Sequence, residues 1–150
     1  MQPREWSRGE FVISTDRARL DVAAVHHLLS HSYWSPGIPL DVVRRSIEHS
    51  LPFGLYRGAE QVGFARVTTD FTTFGYLADV ILAESVRGRG LGTWLMETVF
   101  SHPDLQGFRR WMLATRDAHG LYAKFGFTPL KSPELFMEKW DPEIYRRSQG

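Results

Sequence analysis

The chain has 150 residues, with 18 basic and 17 acidic side chains and a formal net charge of +1. That length suits one domain with its own core, and so even a charge balance excludes a protein that coats nucleic acid through basic excess. The absence of cysteine excludes disulfides, thiolate metal sites and cysteine nucleophiles. No apolar run approaches the roughly 18 residues that cross a bilayer. Met1 to Glu10 is polar and of mixed charge, unlike a secretory leader. The expectation is a cytoplasmic protein with neither a nucleic-acid nor a membrane partner.

In chain order, Phe11–Ser14 reads as a short strand. Residues 21–32 read as a helix, with Val22, Val25, Leu28 and Leu29 on one face and Asp21 at its cap. Tyr33–Pro39 carries two prolines and a glycine and reads as a loop. Residues 41–50 form a second helix, with Val43, Ile47 and Leu51 in line and Pro52 as its stop. The period then changes to 2. Phe53–Tyr56 and Val62–Val67 form a hairpin about a turn at 57–60, and residues 74–82 form a mostly apolar, central strand. Leu91, Leu95 and Val99 mark a helix over 91–101. Trp111–Ala114 is a buried-type strand, residues 117–125 a helix closed by Gly126 in a left-handed cap, and Phe127–Leu130 and Leu135–Trp140 two final strands. The order β-α-α-β-β-β-α-β-α-β-β is that of a mixed α/β sheet in one domain, 1–150, with 1–10 and 141–150 peripheral.

The segment that carries chemistry is Val86-Arg87-Gly88-Arg89-Gly90-Leu91-Gly92-Thr93, between a strand and an amphipathic helix. Alternating glycines let main-chain N–H groups approach a ligand at the positive end of a helix dipole, and two arginines add charge. The turn is either a phosphate cradle or a tight packing turn. Its spacing is not G-x-G-x-x-G, because Thr93 stands at the last position, and no G-x-x-x-x-G-K-S/T occurs.

This segment resembles the pyrophosphate loop of the GNAT superfamily of N-acetyltransferases, Arg/Gln-x-x-Gly-x-Gly/Ala, through Arg87, Gly90 and Gly92. Leu121-Tyr122-Ala123-Lys124-Phe125-Gly126-Phe127 resembles the same family's L-Y-x-K-x-G-F, and the element order matches from residue 11 to about residue 140. The resemblance implies a single-domain GNAT-like fold with a mixed sheet of about six to seven strands, about four helices and a splayed central strand pair. It implies acetyl-CoA as acyl donor, with the pantetheine arm on the main chain of Val80, Ile81 and Leu82. The pyrophosphate would lie on Arg87, Gly88, Arg89, Gly90, Leu91, Gly92 and Thr93, with Thr115 standing where many members have an asparagine cofactor contact. Tyr122 takes the role of general acid toward the departing thiolate. The chemistry is consistent: a phenol of pKa about 10 stays protonated at neutral pH and can donate to a thiolate whose conjugate acid has a pKa of about 8.5. Without cysteine, direct attack in a ternary complex is the expected route.

The acceptor is expected to be a primary amine of a small molecule or peptide, and its base Asp79, His119 or a water. Asp79 also reads as a structural partner of an arginine such as Arg66. The strand position before it, glutamate in polyamine-type members, is Ala78 here. In the family it resembles, the loop holding Tyr33 and Trp34 borders the acceptor site, so these rings either stack on a substrate or plug the core, and Arg109 or Arg110 could reach the 3′-phosphate of CoA. His27 and His31 lack a third ligand, so a solvated face is the reading there and no metal is expected. The final strands could pair across an axis in a homodimer. The alternative function is a non-catalytic module that binds CoA or acyl-CoA.

Overall fold

The computed structural model describes residues 1–147. Six strands form one sheet in chain order: β1 (Glu5–Arg8), β2 (Phe11–Ser14), β3 (Leu51–Arg57), β4 (Glu60–Thr69), β5 (Phe74–Leu82) and β6 (Arg110–Met112). The first four pairings are antiparallel and the last, β5 with β6, is parallel. The helices are α1 (Val22–Ser30), α2 (Leu40–Glu48), α3 (Leu91–Ser101), α4 (His119–Ala123) and α5 (Ile144–Arg147). The mixed α/β architecture expected from the sequence is present.

The apolar stripes act as their spacing predicts. Val25 and Leu29 of α1, with Val43 and Ile47 of α2, bury against Phe64 on one face of the sheet. Leu91, Leu95 and Val99 of α3 bury on the other face with Phe53, Leu55, Val67 and Leu77. The Asp21 carboxylate caps α1 by accepting from the Ala24 N–H at 3.0 Å. β3 and β4 are covered on both faces, which is why they read as nearly continuous apolar runs.

Residues 1–10 include β1, which lies at the edge of the sheet and pairs with β2 through Trp6 opposite Ile13. Two expectations need correction. The helix read over 117–125 spans only His119–Ala123, though Gly126 does take the left-handed conformation, with φ of 91°. Neither final strand forms: Phe127–Leu130 and Leu135–Trp140 hydrogen-bond to no strand, and a single 3-10 turn at Pro133–Leu135 interrupts the stretch. Alternation marks a segment able to be a strand, but a strand also needs an edge to bond, and this one finds none within its own chain. The peripheral segment 141–150 contains α5 as far as Arg147; residues 148–150 lie outside the described residues.

The core contains one titratable ring. His102 is fully buried between Trp6 and Phe53, with ring centroids 5.9 and 5.8 Å away. Its Nδ1 accepts from the Asp104 N–H at 3.0 Å, and its Nε2 has no partner. Burial holds its pKa below the ordinary histidine value of 6.5. The unfolded chain therefore binds a proton more readily, so stability present above about pH 6.5 is lost as the pH falls below it. Urea unfolding between pH 7.5 and 5 should show that loss, and His102→Leu should flatten it.

Candidate active site

Val86 is fully buried and anchors the glycine turn in the core. Arg87 folds its guanidinium back onto the Leu82 carbonyl, with Nε at 3.2 Å, tying the turn to the end of β5. Arg89 lies 3.9 Å from Glu10 at the surface. Gly88 and Gly90 have φ of 79° and 75°, and a Cβ at either would meet no atom within 4 Å. The constraint there is backbone conformation, not space. Gly90 caps α3 in the left-handed conformation with no side-chain hydrogen bond. Among the described residues, the N–H groups of Gly88 through Thr93 find no protein acceptor. Leu91 is buried and fixes the first turn, so these donors sit at the positive end of an eleven-residue helix. The arrangement suits a multiply charged oxyanion, and the pyrophosphate of a CoA thioester fits it.

β5 leads from this cradle. It pairs with β6 only over Phe74–Tyr76, so from Leu77 to Leu82 no strand bonds its edge toward β6. Val80, Ile81 and Leu82 belong to this stretch; Ile81 pairs with Phe64 of β4, and the Leu82 carbonyl accepts from Arg87. On the other edge the register jumps from Phe64↔Ile81 to Arg66↔Ala78, so Ala65 alone spans Asp79 and Val80. Asp79 fills this bulge with φ of 57°, a conformation costly for most side chains but tolerated by aspartate. The bulge shifts the alternation: Leu77, Val80 and Leu82 all join the core on the α3 side, while Ile81 joins the α1–α2 side.

Both Asp79 oxygens are engaged. Oδ2 accepts from Arg66 Nε at 2.6 Å and Oδ1 from Trp34 Nε1 at 3.0 Å. The carboxylate is only 8% exposed and Arg66 22%. The structure thus forms the arginine pair that the sequence left as one of two readings.

Tyr122 lies on α4, 7% exposed, packed edge-on against Phe127. Burial, with a smaller contribution from Tyr33, pushes its phenol pKa above the ordinary value of 10.0. Tyr33 and Tyr122 are thus electrostatic neighbours, although one belongs to the loop after α1 and the other to α4. The Tyr33 oxygen accepts from the Arg116 N–H at 3.0 Å, and the Arg116 guanidinium lies 3.8 Å from the Tyr33 ring centroid. The Thr115 hydroxyl accepts from the Ala118 N–H at 3.1 Å and shapes the entry to α4. His119 is exposed at the first position of α4. His27 and His31 stack on an exposed face, and no cluster able to hold a metal exists among the described residues. Two links were invisible in the sequence: Trp34 to Asp79 and Tyr33 to Arg116. They join residues 45 and 83 positions apart, a separation that no local period reports.

The chain thus holds a glycine turn with unpaired N–H groups, a strand with one edge unpaired beyond Tyr76, and a phenol buried in the same core as that strand. Comparison with known proteins shows its family. Residues 22–127 match the acetyltransferase (GNAT) family. A Gibberella zeae protein named as an acetyltransferase is 35% identical, over 82% of this chain and 81% of its own. A crystal structure of a GNAT-family protein from Xanthomonas campestris pv. campestris is 48% identical, with a TM-score of 0.89, covering 93% of this chain and 99% of that one. Glucosamine-6-phosphate N-acetyltransferase from Arabidopsis thaliana, 16% identical, shares the fold, with a TM-score of 0.61 over 87% of this chain and 97% of its own. The chain belongs to the GNAT family of acetyltransferases. Among the described residues no helix is long and apolar enough to cross a membrane.

Asp79→Ala removes an acceptor from two groups and places a side chain poorly suited to positive φ. It should cost about 2–3 kcal/mol in urea unfolding. Asp79→Asn should cost less, because asparagine tolerates the conformation and still presents one oxygen.

Proposed function

We propose that this protein transfers an acetyl group from acetyl-CoA to a primary amine by direct attack within a ternary complex, with Tyr122 as general acid. The observation that carries this reading is the buried Tyr122 phenol, in the core cluster against which Val80 and Leu82 of β5 pack, together with the unpaired N–H groups of Gly88–Thr93. The amine nitrogen attacks the thioester carbonyl carbon, the C–S bond breaks, and the thiolate takes the phenolic proton. The amine loses one proton to water, and the phenolate is reprotonated from solvent. A raised phenol pKa keeps the donor charged with its proton through the whole neutral range. A main-chain N–H donor at the bulge near Val80 would stabilise the oxyanion developing on the thioester carbonyl.

The acceptor must present a neutral nitrogen, since an ordinary alkylamine of pKa about 10.4 is less than roughly 0.1% neutral at pH 7. With both oxygens bonded, Asp79 serves here as a positioning residue that holds Trp34 and Arg66, and water carries the amine's proton. We assign the acceptor mouth to the α1–α2 side, where Tyr33, Trp34 and Tyr76 are exposed. Aromatic faces and a satisfied carboxylate favour a flat or apolar primary amine over a polyamine, which needs free anionic groups. The engaged state of Asp79 also favours one rival, a module that binds acyl-CoA without turnover. Acetylation of any amine eliminates that rival.

Acetyl-CoA and CoA at about 100 times Kd should stabilise the protein by about 2.7 kcal/mol. That is a rise in Tm of roughly 5–10 °C for a domain of this size, with no response to ATP or NADH. No shift with either CoA species would overturn the reading. Tyr122→Phe should lower kcat by about 10²-fold or more and leave acetyl-CoA binding intact.

A further inference from the structure

Beyond Phe64 and Ile81, which α1 and α2 cover, the same face of β4 and β5 carries Arg66, Thr68 and Tyr76. Arg66 is pinned by its Nε on Asp79 Oδ2 at 2.6 Å and by its Nη1 on the Thr68 hydroxyl at 3.2 Å. Its Nη2 has no acceptor among the described residues, and solvent reaches it. An arginine kept only to neutralise Asp79 would turn its Nε–Nη2 edge to both carboxylate oxygens. Here Trp34 holds the second oxygen, and Nη2 is left over. The Thr68 hydroxyl accepts from Arg66 and donates to nothing among the described residues, and the hydroxyl of the exposed Tyr76, paired opposite Thr68, is unbonded. A cation and two hydroxyls therefore stand together with donors unspent.

The surrounding acids take none of them. Residues 66–79 hold only Asp70 and Asp79, and both are engaged. Asp79 accepts from Arg66 and Trp34, while Asp70 accepts from the N–H groups of Thr72, Thr73 and Phe74 and from the Thr73 hydroxyl. Arg110, paired beside Phe74 on this face, makes no ion pair among the described residues. We propose that Arg66 Nη2, with the Thr68 and Tyr76 hydroxyls, binds a carboxylate carried by the acceptor, so that the substrate is an amino acid-like molecule: a flat primary amine bearing an acid. This rests on the acetyl-transfer reading and narrows its acceptor. A carboxylate is planar and accepts on two oxygens, which suits donors and no acceptors. Arg66 and Asp79 cancel in charge, and Arg110 leaves one positive charge over, which suits a monoanion better than a phosphate dianion. Arg66 pairs opposite Ala78, next to the bulge at Asp79 and Val80, so an anchored acid would hold the amine near the proposed site of acyl transfer.

The test compares kcat/KM for matched amines, 4-(aminomethyl)benzoate against benzylamine and phenylalanine against phenethylamine. The acid should be preferred by about 10-fold or more in at least one pair. Ratios within about threefold of unity in both pairs overturn the proposal and leave acetyl transfer intact. A kcat/KM for O-phosphoethanolamine above those of both acids overturns it too. Arg66→Gln should bring the preferred ratio to within about threefold of unity. Damage to the fold lowers both members of a pair alike, so a ratio that persists overturns the proposal. If that variant loses its native circular dichroism spectrum, Tyr76→Phe, at an exposed position, decides: the ratio should fall by about threefold or more, and an unchanged ratio overturns the proposal. If no amine is acetylated, the acyl-transfer reading fails by itself and binding decides this one. With CoA present, the Trp34 indole N–H resonance reports on the Asp79–Arg66 pair. 4-(Aminomethyl)benzoate should shift that resonance with a Kd about 10-fold or more below that of benzylamine, and equal affinities overturn the proposal.

Discussion

Between Phe74 and Tyr76 the fifth strand is hydrogen-bonded on both edges; from Leu77 onward it is bonded on one. Every functional feature follows from that change. A parallel pair cannot be joined by a tight turn, so the chain between β5 and β6 must leave the sheet, cross it and return. The crossover is the glycine turn and α3, which places a helix N-terminus at the carboxyl end of the strand whose edge is free. The unpaired N–H groups of the turn and the unpaired stretch of β5 are thereby adjacent, which is what the proposed donor site needs.

The bulge at Asp79 makes the same strand serve two cores. Before it, Leu77 points to the α3 side; after it, Val80 and Leu82 do so as well, and Ile81 packs toward α1 and α2. A left-handed aspartate in a strand is an unfavourable conformation, and its persistence needs compensation. The compensation visible here is two hydrogen bonds to a nearly buried carboxylate, one of them from a cation. The loop carrying Tyr33 and Trp34 is held at both sides of the cleft, by Asp79 on β5 and by the Arg116 N–H ahead of α4. That loop is therefore part of the folded scaffold.

Tyr122 and Tyr33 show how the site combines a dry interior with a wet rim. Tyr122 is set among core side chains, so desolvation favours its protonated form. Tyr33 is exposed, with one ring face against the Arg116 guanidinium. In the proposed reaction a thiolate leaving at Tyr122 would meet a proton donor in a low-dielectric setting, where the transfer is worth most.

Much of this was legible in the sequence. Helical spacing located α1, α2 and α3 and their buried faces. Glycine placement located the cradle, because positive φ before a helix is a local requirement. The pairing of Tyr122's motif with that turn pointed to acyl transfer. The same local reading made Leu135–Trp140 a strand where the structure forms none, since pairing is a property of two segments. Likewise Asp79 could be read as a base or as an ion-pair partner until Arg66 and Trp34 were seen around it. Local periods and dihedral preferences made α1, α2, α3 and the glycine turn before α3 readable, because each depends on a few neighbouring residues. Only the tertiary structure decided which edge of β5 is unpaired, what occupies Asp79 and that Leu135–Trp140 joins no sheet, because those depend on contacts between residues far apart along the chain.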